Sequence, residues 1–133
     1  MRVYIAGPIA GHPDANRAAF AATQTTLERV GHVVVNPHDV TPHQHDGDCP
    51  PGLPGGEGAE HAAPCYMRTD LAAMLGCDAI YLLPGWQKSE GARIEYLIAV
   101  HVCGLDVLNT SAFLIPEPPR SVRVAFGLTG ATA

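Results

Sequence analysis

The chain has no pair of cysteines two residues apart. Cys49, Cys65, Cys77 and Cys103 are scattered, so no zinc ribbon or thioredoxin-type motif is encoded and reduced thiols are expected. No apolar run approaches the roughly 20 residues needed to cross a bilayer. Basic residues are scarce: 8 Lys and Arg against 13 Asp and Glu leave a formal charge of -5. That balance excludes the broad basic face with which proteins bind nucleic-acid backbones, while leaving room for one small anion. Neither GxGxxG nor a Walker A loop is present, so a dinucleotide or ATP site is unsupported. Met1-Arg2 leads directly into VYIAG, too short for the apolar core of a signal peptide, and a cytoplasmic protein is the expectation. There is no internal repeat and no linker, so residues 1–133 are read as one domain.

What is present is globular in composition, with 47% apolar and 16% charged residues. RVYIA, residues 2–6, reads as a strand. From Asp14, read as an N-cap, Phe20, Leu27 and Val30 recur at helical spacing, and Gly31 follows as a helix terminator. HVVVN, residues 32–36, is a β-branched strand closed by Pro37. Residues 38–64 are rich in proline and histidine without apolar period and read as an irregular loop. Met67, Leu71 and Leu75 mark a second helix, followed by the strand DAIYLL at 78–83. SEGARIEYLIAVHVCG, residues 89–104, is a third helix with Ile94, Leu97, Ile98 and Val102 as its apolar stripe. LDVL, residues 105–108, is a further strand, and VRVAF, residues 122–126, is read as a fifth. The alternation predicts an α/β fold: a single doubly wound, Rossmann-like or flavodoxin-like parallel sheet of four to five strands flanked by helices, with right-handed crossovers. Ligands of such sheets lie beyond the carboxyl ends of the strands, where the loops GPIAG and PGWQKS begin.

Each candidate residue has two readings on local pattern alone. Gly7 and Gly11 let backbone amides approach a ligand, or simply form a tight turn. Ser89 and Gly91 open the third helix beside Lys88 and Arg93, which makes either an anion site or a plain N-cap. Glu95 is either a solvated helix residue or a positioned carboxylate. Asp70 is either a surface acid or its partner in a carboxylate pair of the kind that cleaves glycosidic bonds. Tyr4 points either into the core or towards that site, and Asp78 reads as structural. His43, His45, Cys49, His61 and Cys65 are metal-ligand types without the tight spacing of a structural site, so no metal is expected.

Taken together, YIAGPIAG at 4–11, GHVVVNP at 31–37, YMRTDLAAMLGCDAIYLLPGW at 66–86 and KSEGARIEYLIAVHVCGL at 88–105 resemble the nucleoside 2-deoxyribosyltransferase-like superfamily, in particular its DUF4406 branch. The superfamily includes 2'-deoxynucleoside 5'-phosphate N-hydrolases and CMP N-glycosidases. The likeness spans residues 3–108 apart from the loop. It implies that Glu95 is the catalytic glutamate that attacks C1' of the sugar, that Tyr4 hydrogen-bonds it, and that Asp70 contacts the sugar or assists departure of the base. Gly7, Pro8, Ile9 and Gly11 would line sugar and base, and Ser89 with Gly91 would hold a 5'-phosphate. Ala10 stands where some of the hydrolases carry an arginine.

The activity so implied is hydrolysis of a nucleoside 5'-monophosphate to free base and sugar phosphate, without cofactor. Base exchange by transfer and nucleotide binding without turnover are the alternatives, and a protein-interaction domain that keeps only the fold is a third. Family members assemble as homodimers or homotetramers, and the apolar, proline-rich stretch 110–119 is compatible with an interface.

Overall fold

A computed structural model describes residues 1–40 and 63–109. The predicted fifth strand at 122–126, the stretch 110–119 and the core of the proline-rich loop lie outside the described residues. The described elements run β1 (Arg2–Ala6), α1 (Arg17–Arg29), β2 (Val33–Val35), α2 (Ala63–Leu75), β3 (Ala79–Leu82), α3 (Glu90–Tyr96) and β4 (Asp106–Val107), with short 3-10 turns before α1, after β2 and before α3. They form a four-stranded sheet in the order β2-β1-β3-β4, every pairing parallel. This is the expected α/β architecture, and the chain reverses direction across the sheet between β1 and β3.

The period of two along each strand divides the core into two layers. Val3, Ile5, Ala79 and Leu83 face α1 and pack on Phe20 and Leu27. Tyr4, Ala6, Ile80 and Leu82 face the other way, onto Met74 of α2, Ala92, Tyr96 and Ala99 of the third helix, and Trp86. Tyr4 aligns with Val35 on one side and Ile80 on the other, at the centre of the sheet. The edge strands are shorter than HVVVN and LDVL suggest. At the β4 edge the side chain of Asn109 substitutes for backbone: its Nδ2 donates to the Leu82 carbonyl at 2.6 Å, and its Oδ1 accepts from Leu82 N–H at 3.1 Å.

All three helices correct the sequence reading in detail. Asp14 is not an N-cap: Asp14, Ala15 and Asn16 all have positive φ, so α1 starts only at Arg17. Pro13 opens this turn, and the Asp14 carboxylate lies 3.7 Å from Arg17 Nε instead of bonding helix amides. Val30 leaves the stripe and is 71% exposed, because the chain turns at Gly31 (φ +96°) before the next helical turn can form. On α2 the buried residues are Cys65, Thr69 and Met74, whereas Leu75 is exposed and Leu71 packs only at the margin.

On the third helix the buried face is Ala92, Glu95, Tyr96 and Ala99, while Ile94 is exposed and Ile98 is marginal. Two alanines let this helix lie close to the sheet, and the glutamate between them takes a core position because Tyr4 supplies a donor there. The regular helix ends at Tyr96 and continues as a π-helical stretch over Leu97–Val102. Its wider turn ends with Cys103 N–H bonded to the Ile98 carbonyl at 2.9 Å.

Candidate active site

The site begins with β1. Because alternate residues of this central strand face opposite layers, Tyr4 is aimed at the third helix and is fully buried. Its hydroxyl donates a hydrogen bond to Glu95 Oε2. Glu95 is 7% exposed, an unusual position for a carboxylate. Burial pushes its pKa up to about 8; the bond from Tyr4 acts the other way and the Asp70 charge adds to the rise. Tyr4 is held well above the ordinary phenol range, by burial first and then by the charges of Glu95 and Asp70. Its proton therefore stays on the phenol and the donor role is fixed. Asp70, on α2 and half-buried, has its pKa raised to about 6 by burial. Tyr4 and Glu95 thus meet between the sheet and the third helix, near enough to Asp70 to feel its charge, and all three are perturbed in the direction that burial dictates.

Two loops close the carboxyl end of the sheet over this group. Gly7 and Pro8, directly after β1, are buried, Ile9 is half-buried, and Gly11 is exposed with φ +78°. Gly7 is required by close approach: a Cβ there would stand 2.7 Å from Leu83 Cβ. A Cβ on Gly85 would stand 3.5 Å from Pro8 Cγ, so the loops after β1 and β3 touch at two points. The β1 loop is tied back by Asn16, whose Nδ2 donates to the Pro8 carbonyl at 3.0 Å. After β3, Trp86 is fully buried and tilts against Tyr96 at 4.9 Å between ring centroids. Ser89 is the N-cap of α3, its Oγ accepting from Ala92 N–H at 3.2 Å. Its hydroxyl proton is not used by that bond. Gly91 faces α2, where a Cβ would lie 3.7 Å from Met67 Cε. Lys88 and Arg93 are exposed.

The structure brings Tyr4, Glu95 and Asp70 into one electrostatic group and sets Gly7 and Pro8 against the loop that leads to Ser89. Ala10 and Gly11 stand further out, at the exposed turn. Among the described residues no three His, Cys, Asp or Glu side chains form a metal-binding group. Cys65 is buried on α2, and His43, His45, Cys49 and His61 lie outside the described residues. Asp78 is structural: its Oδ2 accepts from Arg2 N–H at 2.8 Å, at the opposite end of the sheet. A depression of about 150 Å³ lined by Ala22, Thr23, Thr26, Leu27 and Tyr81 lies on the α1 face, across the sheet from Glu95.

Sequence reasoning missed Asn16, Trp86 and Asn109. Asn16 was detectable, since asparagine is the side chain that best tolerates the left-handed region and stands here just before a helix. Trp86 and Asn109 have no local signal, because each acts on an element distant in sequence.

A parallel α/β sheet with a buried Tyr–Glu pair beside a second acid defines a fold class and a candidate site rather than an activity. Within that class the family is settled by comparison: a model for a domain of unknown function, DUF4406, matches residues 1–109, and the chain belongs to that family. No curated protein matches the chain. Among the described residues no helix is long and apolar enough to cross a membrane.

Proposed function

We infer that the chain is a cytoplasmic enzyme that hydrolyses the N-glycosidic bond of a nucleoside 5'-monophosphate, releasing free base and sugar phosphate. The observation that carries this reading is the buried hydrogen bond from the Tyr4 hydroxyl to Glu95, with the Asp70 carboxyl close enough to perturb both. The reading also draws on the resemblance of the same motifs to the nucleoside 2-deoxyribosyltransferase-like superfamily, and assembly as a homodimer or homotetramer belongs with it.

In the first step a Glu95 carboxylate oxygen bonds to C1' as the bond from C1' to the base nitrogen breaks, and Asp70 gives its proton to the departing base. In the second, water attacks C1', loses its proton to Asp70 and frees Glu95. The pair must therefore carry one proton and one negative charge when substrate binds. At neutral pH it does: Glu95 titrates near 8 and Asp70 near 6, so one of the two is protonated. Attack needs the Glu95 carboxylate ionised and the proton of the pair on Asp70. The Tyr4 bond favours that arrangement because it stabilises the Glu95 anion. Ser89 and the amides near Gly91 are the groups offered to a 5'-phosphate, and the Gly7 to Gly11 loop is offered to sugar and base.

The test is to incubate the purified chain with a panel of ribo- and deoxyribonucleoside 5'-monophosphates and to measure free base. Release that disappears in Glu95→Ala, with the melting temperature retained, supports the reading; release that survives overturns it. One observation favours nucleotide binding without turnover, namely that Glu95 is 7% exposed, a burial that disfavours the ionised form a nucleophile needs. Tight binding of a monophosphate with no base released over a long incubation would establish that reading instead. Adding an acceptor base and looking for exchanged nucleotide separates transfer from hydrolysis.

A further inference from the structure

The turn between β1 and α1 contains a contact that the hydrolase reading does not use. Asp14, Ala15 and Asn16 occupy the left-handed region in succession, with φ of +48°, +52° and +60°. Only glycine is free of strain there, and a run of three other residues persists only where the surroundings hold it. Two contacts do so. Asn16 reaches back eight residues to donate to the Pro8 carbonyl at 3.0 Å. The His38 ring, beyond β2, faces the Ala15 backbone and packs edge-on against Phe20 at 4.8 Å between centroids.

Pro8 is the residue that touches the β3 loop at Gly85, and it directly follows Gly7, which has no room for a side chain beside Leu83. The segment from Pro8 to Asn16 is thus a closed ring with one side seated on the wall of the site. Within it His12 N–H bonds to the Ile9 carbonyl at 3.3 Å and Ala15 N–H to the His12 carbonyl at 3.0 Å.

We propose that Asn16 is a positioning residue for the site: its side-chain amide holds the Pro8 to Gly11 loop in place to receive the sugar and base of a nucleotide. Asparagine fits both demands, since it tolerates the left-handed region and carries the N–H donor that aspartate lacks. The nucleotide part of this assignment rests on the proposed hydrolase reading; the loop-holding part does not.

The experiment compares Asn16→Gly and Asn16→Asp with the parent chain. Asn16→Gly keeps the backbone freedom and removes the amide; Asn16→Asp keeps the shape and replaces the donor with an acceptor. The first readout is amide hydrogen exchange at His12 and Ala15, expected to quicken about tenfold or more in both variants while β1 and β3 amides stay at parental rates. The second is base release from nucleoside monophosphates, expected to show KM raised about tenfold with kcat changed far less. Unchanged exchange at His12 and Ala15 in both variants, or an increase shared equally by β1 and β3, overturns the proposal. If the parent releases no base, the hydrolase reading fails while exchange still decides whether Asn16 holds the loop. Parental KM in both variants despite faster exchange overturns the positioning role.

Discussion

At the residue scale, the proposed role of Glu95 would trade stability for chemistry. A carboxylate that is 7% exposed, its pKa pushed up to about 8 by burial, is costly to ionise within the fold, and among the described residues the Tyr4 hydroxyl is its one hydrogen-bond donor. Glutamine has nearly the same shape, and its carbonyl accepts the same hydrogen bond without the charge. Glu95→Gln should therefore abolish base release while raising the melting temperature at pH 8.5, with a smaller gain at pH 5, where the glutamate is already protonated. Thermal melts of both proteins at the two pH values check this. Lower stability of the variant at pH 8.5 would mean that the ionised glutamate has more support than Tyr4 provides. Apolar periodicity alone did not reveal this residue. It places Ile94, Leu97 and Ile98 inside, whereas the helix buries Ala92, Glu95, Tyr96 and Ala99, and only the joint motif singled Glu95 out.

At the scale of elements, the site depends on two loops meeting at the carboxyl end of the sheet. Gly7→Ala places a Cβ 2.7 Å from Leu83 Cβ, and because the contact is strand-anchored on both sides, neither partner can withdraw freely. The expected cost is about 1–3 kcal/mol of stability, read by denaturant unfolding, together with weaker nucleotide binding measured calorimetrically. Ser89 both caps α3 and stands where a phosphate is proposed. Ser89→Ala should lose about 1 kcal/mol from the cap, and base release should fall more for a nucleoside monophosphate than for the corresponding nucleoside. Equal losses for both substrates would leave only the cap.

The elements themselves were legible because each helix ends at a turn signal and β1, β2 and β3 are rich in apolar residues. Their buried faces were less so. The start of α1 was misplaced because a three-residue left-handed turn follows Pro13, and the third helix changes its period after Tyr96. A uniform 3.6-residue repeat cannot register either feature.

For the whole molecule, buried Glu95 and half-buried Asp70 give stability a distinct pH dependence. Both have folded-state pKa values raised above their ordinary 3.8 and 4.5, to about 6 for Asp70 and about 8 for Glu95. The folded chain then binds more protons than the unfolded chain across that interval, so these groups make stability fall as pH rises from about 4.5 to 8. His38 acts in the opposite sense, because burial and Arg17 lower its pKa and its penalty on protonation is felt only below its ordinary value. Between about pH 6.5 and 8 the Glu95 contribution therefore stands clear among the described residues, at most about 2 kcal/mol. The melting temperature is expected to fall across this window in the parent chain and to be flat, or nearly so, in Glu95→Gln. A parental melting temperature that rises through the same window would contradict the buried-acid account.

The central claim, that the Glu95 carboxylate bonds to the sugar carbon, is tested most directly by mass analysis of the protein during turnover. A nucleoside monophosphate bearing 2'-fluorine slows the second step, and acid quenching followed by proteolysis then finds any sugar held on the chain. The account predicts one sugar phosphate on the peptide that contains Glu95 and none in Glu95→Gln. Steady release of base with no adduct, or with the adduct on another residue, would contradict it.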